Sequence, residues 1–428
     1  MLRNIHNSFS MVKRMTRSNS INQTCKRTMA NAANASVVTN TIPIKQGGLG
    51  VLDLQYINTS NVTIKREWRD DCTITLLNSQ TSDLKMEFDV KSDTFSISSQ
   101  PENSLDIVEI ELILPEHFDI SILAQEINLT STNKGHGDFR VIANSGNIVL
   151  DKIRGENIHI DIPHGDLLIK KLMEGNANVN SRSINGKMIN GDHVNMKTIG
   201  PISIGAMYTK NLHVNTSANE GELGDIKIGV LHGNGVITSS SGNITVNGVD
   251  GTLNIIANKG KITTQLNKLS LNNSTTMIAK NGGIDVNLDP GIKTSLVCSI
   301  DENSKSSRHS INIQSDTFNG DIDDTTATGH FSGVDNNKDL FGSSSGDSGG
   351  GGGGGKIDYD GARLQSLNTF SDINEVDNDS DGNNNSNNTD GANGSSSNNQ
   401  ASLILKSTGH IRIKTLSWME SIRRKHLG

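Results

Sequence analysis

From residue 224 to residue 260 glycine recurs at a fixed step of nine: Gly224, Gly233, Gly242, Gly251 and Gly260. Short alternating runs follow four of them: Asp225-Ile226-Lys227-Ile228, Asn243-Ile244-Thr245-Val246, Thr252-Leu253-Asn254-Ile255 and Lys261-Ile262-Thr263. In a run of period two the apolar residues share one face and the polar residues the other. The preceding glycine supplies the positive φ of a tight corner. A strand this short cannot bury its apolar face alone, but copies at a fixed period can stack and share one core. The same unit occurs upstream, with glycines at 137, 146, 155, 165 and 175, at steps of nine, nine, ten and ten. The pattern predicts an all-β, single-chain β-solenoid built from short strands at steps of 9–10 residues.

A longer period overlies the short one. His193-Val194-Asn195 is followed by His213-Val214-Asn215 and His232-Gly233-Asn234, at steps of twenty and nineteen. That is two short units per long one, so the expected coil has two strands and two corners, with three strands per coil as the alternative. Stacked strands lie about 4.8 Å apart, so ladders of like side chains are expected along the stack.

Composition fits a narrow core. Aromatic residues make up 3% of the 428 and glycine accounts for 43, a balance that suits Ile, Val and Leu ladders better than the core of an α/β enzyme. The net charge of -7 is spread along the chain with no basic block in its body, which argues against nucleic acid as partner. Cys25, Cys72 and Cys298 are far apart without metal-ligand spacing. Cys72 and Cys298 fall near or in strands and are expected to be buried small hydrophobes. No stretch of ~18 apolar residues predicts a membrane span.

The first fifty-two residues contain no Asp or Glu, while Arg3, Lys13, Arg14, Arg17, Lys26 and Arg27 supply positive charge. Leu2, Ile5, Phe9, Val12 and Met15 fall near one face of a helix. This is the composition of a mitochondrial transit peptide. Asn-x-Ser/Thr sequons such as Asn61-Val62-Thr63 and Asn243-Ile244-Thr245 matter only in a secreted chain.

The chain divides into five stretches. Residues 1–40 are the expected transit peptide and junction. Residues 41–123 alternate like strands without the glycine step, as in Val62-Thr63-Ile64-Lys65 and Met86-Glu87-Phe88-Asp89-Val90. They are expected to form an antiparallel β cap over the open solenoid end, whose bare sheet edge needs cover. Residues 124–300 are the solenoid body. Residues 301–400, with seven consecutive glycines at 349–355 and an Asn/Ser/Asp/Gly tract over 377–400, are expected to be a disordered low-complexity insertion. Residues 401–428 hold Leu403-Ile404-Leu405 and Gly409-His410-Ile411-Arg412-Ile413, expected as the final coil, then a closing segment with Trp418 and Ile422 over its end.

Five units carry a resemblance to a known family: Gly137-Asp138-Phe139-Arg140-Val141, Ser145-Gly146-Asn147-Ile148-Val149, Gly165-Asp166-Leu167-Leu168-Ile169, Gly224-Asp225-Ile226-Lys227-Ile228 and Ser241-Gly242-Asn243-Ile244-Thr245-Val246. They resemble the Ser-Gly-Asp-Ile-x-Val repeats of the putative adhesin domain family. The close, Gly409 to Trp418, is similar to that of the family's eukaryotic branch. The resemblance covers residues 108–296 and 403–418. It implies a β-solenoid and no particular chemistry, so no catalytic residue is carried over. The basic N-terminus lies outside it and argues against a cell-surface role.

Four constellations could carry chemistry. His193, His213 and His232 could present imidazoles to a metal if they stacked, although parallel rings do not converge as a tetrahedral ion requires. Asp377-Asn378-Asp379-Ser380-Asp381-Gly382 mimics the start of a calcium loop but has Asn388 where the closing Glu belongs. Gly135-His136-Gly137-Asp138 lacks the double glycine of a calcium-binding nonapeptide. Asp192 and Asp225 are of the type that could act as acid and base on a polysaccharide, yet Asp beside a corner glycine is first a turn former. No cofactor is implied. The expected protein is a non-enzymatic binding or scaffold protein of the mitochondrion, with an unknown protein or glycan partner. A cell-surface or secreted adhesin and a carbohydrate-active β-helix enzyme are the alternatives.

Overall fold

The computed structural model of the chain describes residues 37–44, 47–77, 84–89, 91–99, 105–218, 224–270, 273–300, 310–333 and 401–417, with 419, 420 and 423. All of these belong to one unit, residues 1–334 with 399–428; a second unit, 335–398, lies outside the described residues. Residues 1–36 of the expected transit peptide and junction, the glycine run, the calcium-like tract, Trp418 and Ile422 are also outside them, whereas residues 38–40 of that stretch already lie in the first strand. Among the described residues twenty-two strands join in one sheet that winds around a single core, a β-solenoid-like all-β fold.

The middle of the stack shows why the sequence winds. β9 (Phe139–Asn190), β10 (His193–Thr198), β11 (Ile202–Thr216), β12 (Ile226–Ser239), β13 (Ile244–Ala257) and β14 (Ile262–Leu269) pair in parallel, each coil on the next. Every coil has two long segments, a back one such as Ile202-Ser203-Ile204 and a front one such as Asn211-Leu212-His213-Val214. A short third segment turns between them and buries Met207, Leu231 and Val249. Alternation does the sorting: β11 buries Ile202, Ile204, Met207, Leu212 and Val214 and turns most residues between them outward, with Thr209 buried at the bend. On the back face one buried column reads Ile184, Ile202, Ile226, Ile244, Ile262, Ile284 and Ile411, one isoleucine per coil. Stacked β-branched side chains fill such a column with few rotamers to lose.

The corners hold glycine for two reasons. Gly233, Gly242, Gly251 and Gly260 have φ of 123°, 120°, 146° and 122°, as the nine-residue step predicts. Gly155 and Gly165 do not lie in the left-handed region; they are needed because a Cβ there would strike the carbonyls of Gly137 and Gly146 one coil below. Close backbone approach at stacked corners was not visible in the local turn pattern.

The N-terminal region is mixed, where an antiparallel cap was expected. β2 (Gly48–Leu54) and β3 (Ile57–Glu67) pair in parallel with β8 (Phe118–His136) and form a coil of the stack. β6 (Thr94–Ser99) and β7 (Leu105–Pro115) lie outside them, also parallel. Only the edges are antiparallel: β4 (Asp71–Leu77) on β7, β1 (Val38–Pro43) on β4, and β5 (Leu84–Asp89) on β6. The buried Arg66 ties these layers together, its Nη1 donating to Phe118 O at 2.7 Å, and burial pushes its pKa down to about 10.

The C-terminal end is interleaved. β15 (Ser274–Ala279) and β16 (Ile284–Leu288) continue the two faces. The next coil in space is β21 (Ala401–Ser407) with β22 (Ile411–Thr415). β17 (Thr294–Ile300) and β18 (Ile311–Gln314) stack outside it. The coil expected to be final is last in sequence but not in the stack. β20 (Thr326–Phe331) then adds antiparallel to β17, and β19 (Phe318–Ile322) antiparallel to β20. Residues 310–333, read as the start of the low-complexity insertion, therefore carry strands; their alternating Ile311-Asn312-Ile313 and Thr326-Ala327-Thr328 runs can pair once an edge is offered.

Candidate functional site

The three histidines do not stack. His193 lies opposite Asn211, His213 opposite Asn195 and Val236, and His232 opposite Tyr208 and Asp250 on the short third segment. The cause is uneven coil length: successive coils are offset by 17 residues at Ala177/Val194, 18 at His193/Asn211 and 23 at Asn211/Asn234. Steps of twenty and nineteen in sequence therefore fall out of vertical register. His232 instead stacks on Tyr208, with ring centroids 4.8 Å apart, and its Nδ1 meets Asp250 Oδ2 at 3.0 Å. Among the described residues no group of three or more His, Cys, Asp or Glu is placed to hold a metal ion.

Asp192 and Asp225 stand at different corners. Asp192 precedes the front segment and pairs with Lys210 Nζ at 2.9 Å. Asp225 precedes the back segment, and its Oδ1 accepts the Asn243 N–H at 2.7 Å. Each side chain is engaged in holding one coil to the next. Asp138, in the segment screened for a calcium nonapeptide, likewise accepts the Asn157 N–H at 2.8 Å. Cys72 and Cys298 are buried, and burial raises both thiols to about 12.

What the front face does bring together is a pair of outward rows. The first row reads Asn157, Asn176, His193, Asn211, Asn234 and Thr252. The second reads His159, Asn178, Asn195, His213, Val236 and Asn254. They line an open groove of 660 Å³ floored by Ile158, Ala177, Val194, Leu212 and Gly235. Among the described residues no Asp, Glu, Lys or Arg lines it. Lys197 on the neighbouring row and the Asp192–Lys210 pair flank it.

Part of this polar surface is spent on the protein itself. Asn195 Nδ2 donates to Asn178 Oδ1 at 3.0 Å, and Asn178 Nδ2 lies 3.4 Å from His159 Nδ1. Asn211 Nδ2 lies 3.3 Å from His193 Nδ1. The amide ladder stops where His213 replaces the next Asn: Asn195 Oδ1 is covered and has no partner. Thr252 Oγ1 is likewise covered and unpaired. The rings of His213 and the amide of Asn234 are exposed and make no side-chain hydrogen bond among the described residues. Burial, with the Arg140 charge next, lowers the His159 pKa, so this ring is neutral at pH 7.

A charged groove of 520 Å³ adjoins the corner, lined by Asp119, Asp138, Glu156, Glu174, His136 and Arg154. Arg154 there pairs with Glu174 at 2.5 Å, and His136 Nε2 lies 3.3 Å from Glu116 outside the lining, so four carboxylates face one arginine and a histidine that burial disfavours protonating. The two neutral rows were legible in principle, because Asn recurs immediately before an inward residue in Asn157-Ile158, Asn176-Ala177, Asn211-Leu212 and Asn234-Gly235. Uneven coil length hid the alignment.

No family model matches the chain, and no curated protein matches it. Several solved structures do. A putative adhesin from Bacteroides fragilis NCTC 9343 is 12% identical with a TM-score of 0.27, covering 59% of this chain and 97% of that one. A putative cell adhesion protein from Clostridium sporogenes ATCC 15579 is 8% identical with a TM-score of 0.19, covering 90% and 100%. A putative adhesin from Parabacteroides merdae ATCC 43184 is 11% identical with a TM-score of 0.23, covering 59% and 89%. At these TM-scores none of them bears on function, which rests on the face itself.

Proposed function

We propose that this chain is a non-enzymatic binding protein whose ligand surface is the groove along the front face. The observation that carries the reading is the two uncharged rows of amide, imidazole and hydroxyl groups, repeated coil by coil over one 660 Å³ groove. That volume falls in the roughly 300–1,000 Å³ range of ligand sites. The carboxylates that could serve an acid–base reaction, Asp192 and Asp225, are occupied at separate corners. A β-solenoid holds such rows rigid, because each coil is hydrogen-bonded on both sides.

The location of binding belongs to residues 1–40. Their acid-free basic composition supports import into the mitochondrion; a cell-surface or secreted adhesin is the second reading. No helix among the described residues is long and apolar enough to cross a membrane. Imaging of a C-terminally tagged chain with sequencing of its mature N-terminus separates the two.

The surface itself is tested by charge. Asn234→Glu in the groove should abolish retention of the full chain on whichever fraction, mitochondrial or cell-surface, the tagged protein occupies. Thr245→Glu, outward on the back face, should leave retention unchanged. Equal behaviour of the two variants would overturn the assignment of the groove.

A further inference from the structure

We infer that the front-face groove takes an uncharged oligosaccharide, with the exposed His213 and Asn234 forming its recognition end. The inference rests on the binding reading above and names its ligand class.

The argument starts from what the lining can and cannot satisfy. An anionic ligand at the His213–Asn234 end would leave water without meeting a counter-charge, since no described Lys or Arg lines the groove and Arg140 stands beside His159 at the opposite end. Nucleic acid requires rows of cations along its phosphates, and the chain offers net -7 and a neutral face. A cation would meet no carboxylate in the lining. A wholly apolar partner could rest on the floor and on Val236, but it would strip water from the amides and imidazoles of the two rows without replacing their hydrogen bonds. An extended peptide is recognised by adding to a sheet edge, whereas this groove lies across the middle of the stack, where every coil already pairs on both sides.

A neutral sugar meets none of these objections. Each hydroxyl both donates and accepts, and a carboxamide presents both functions side by side. A neutral imidazole offers one donor and one acceptor, so the rows can pair with hydroxyls in either direction. The polar atoms left free by the protein concentrate at one end. His213 and Asn234 are exposed and make no side-chain hydrogen bond among the described residues, whereas the unpaired Thr252 Oγ1 and Asn195 Oδ1 are covered and out of a ligand's reach. The other end, around Asn178 and Asn195, is bonded internally. The ring of His213 beside Val236 adds an apolar contact for the carbon face of a sugar.

The test applies the full chain to an array of neutral, uronic and sulfated oligosaccharides. Retention on neutral members is expected, unchanged from about 0.05 to 0.5 M salt, because no ion pair is screened. His213→Ala and Asn234→Ala should each lower it about tenfold, the effect of losing one or two hydrogen bonds. Both side chains are exposed and unpaired, so folding should survive, and an unchanged melting temperature confirms it. Lys227→Ala on the back face should retain full binding. Retention only on charged members, or salt-sensitive retention, overturns the inference. If no glycan is retained while Asn234→Glu still abolishes retention on the protein's own fraction, the ligand class falls and the groove stands. If neither binding nor its loss is seen, both fall.

Discussion

At the level of single residues, the front face trades stability for open polar groups. The ladder from His159 through Asn178 to Asn195 stops because His213 occupies the next position, leaving Asn195 Oδ1 covered and unpaired. His213→Asn should place an Nδ2 donor under that oxygen. One satisfied buried acceptor is worth about 1 kcal/mol, so the variant should melt higher than the parent in calorimetry. An unchanged or lower melting temperature would show that the neighbouring coil does not come close enough for the ladder to continue. His159 makes a second prediction. Its pKa is lowered by burial and by Arg140, so the folded chain resists a proton that the unfolded chain accepts at the usual value of about 6.5. Its contribution is therefore complete above about 6.5 and is lost as pH falls toward the lowered value. His159→Asn keeps an acceptor for Asn178 and removes the titration. Its melting temperature should depend less on pH than the parent's between about 6.5 and 5. Equal pH dependence would exclude His159 as a source. His136, lowered chiefly by burial as well, contributes in the same direction in both proteins.

The coil is the next scale, and much of it was legible. Runs such as Ile226-Lys227-Ile228 and Ile244-Thr245-Val246 carry their inside and outside in the alternation itself, because burial in a strand depends only on parity. The positive φ of Gly233 and Gly242 was legible for the same local reason. What a single coil cannot display is its neighbour. Gly155 and Gly165 are glycines because of carbonyls one coil away, and the Asn and His rows are rows only once coils of 17, 18 and 23 residues are laid on each other. The corner at Gly242 suffers both constraints: φ is 120°, and a Cβ would come 2.6 Å from the Gly224 carbonyl carbon. Gly242→Ala should cost about 2 kcal/mol or more in strain and displacement. Gly291→Ala, where a Cβ would meet nothing closer than 3.6 Å, should be near neutral. Comparing the two melting temperatures separates glycines fixed by conformation and contact from glycines that are incidental; similar losses would contradict the corner geometry.

Over the whole stack, order in sequence and order in space part company at both ends. β2 and β3 precede β6 and β7 in the chain yet lie inside them, and β21 with β22 enters between β15–β16 and β17–β18. Alternation cannot distinguish these arrangements. Thr294-Ser295-Leu296-Val297-Cys298 and Ala401-Ser402-Leu403-Ile404-Leu405 present the same inward pattern, and the structure pairs them residue for residue. Either could have followed β15 on pattern alone. The consequence is that the C-terminal coil is a keystone and not a lid: it hydrogen-bonds β15 on one side and β17 on the other, and Thr294 Oγ1 donates to Ala401 O at 2.9 Å. Its end is fixed by a capping box, in which Glu420 accepts the Ser417 N–H at 3.1 Å and Ser417 Oγ accepts the Glu420 N–H at 3.2 Å. These bonds and Lys414 hold the Glu420 carboxyl down to about 2, so the box survives mild acid. Removing residues 401–428 should strip β17, β18 and β20 of their anchor as well as deleting one coil. Hydrogen exchange of Thr294–Ile300 should then lose protection, while Ile226–Ser239, several coils away, keeps it, because stability in a stack is carried by nearest neighbours. A peptide of residues 401–428 added in trans should restore protection over Thr294–Ile300. Had the C-terminal coil been the outermost layer, truncation would leave that segment protected, and that result would refute the interleaved order.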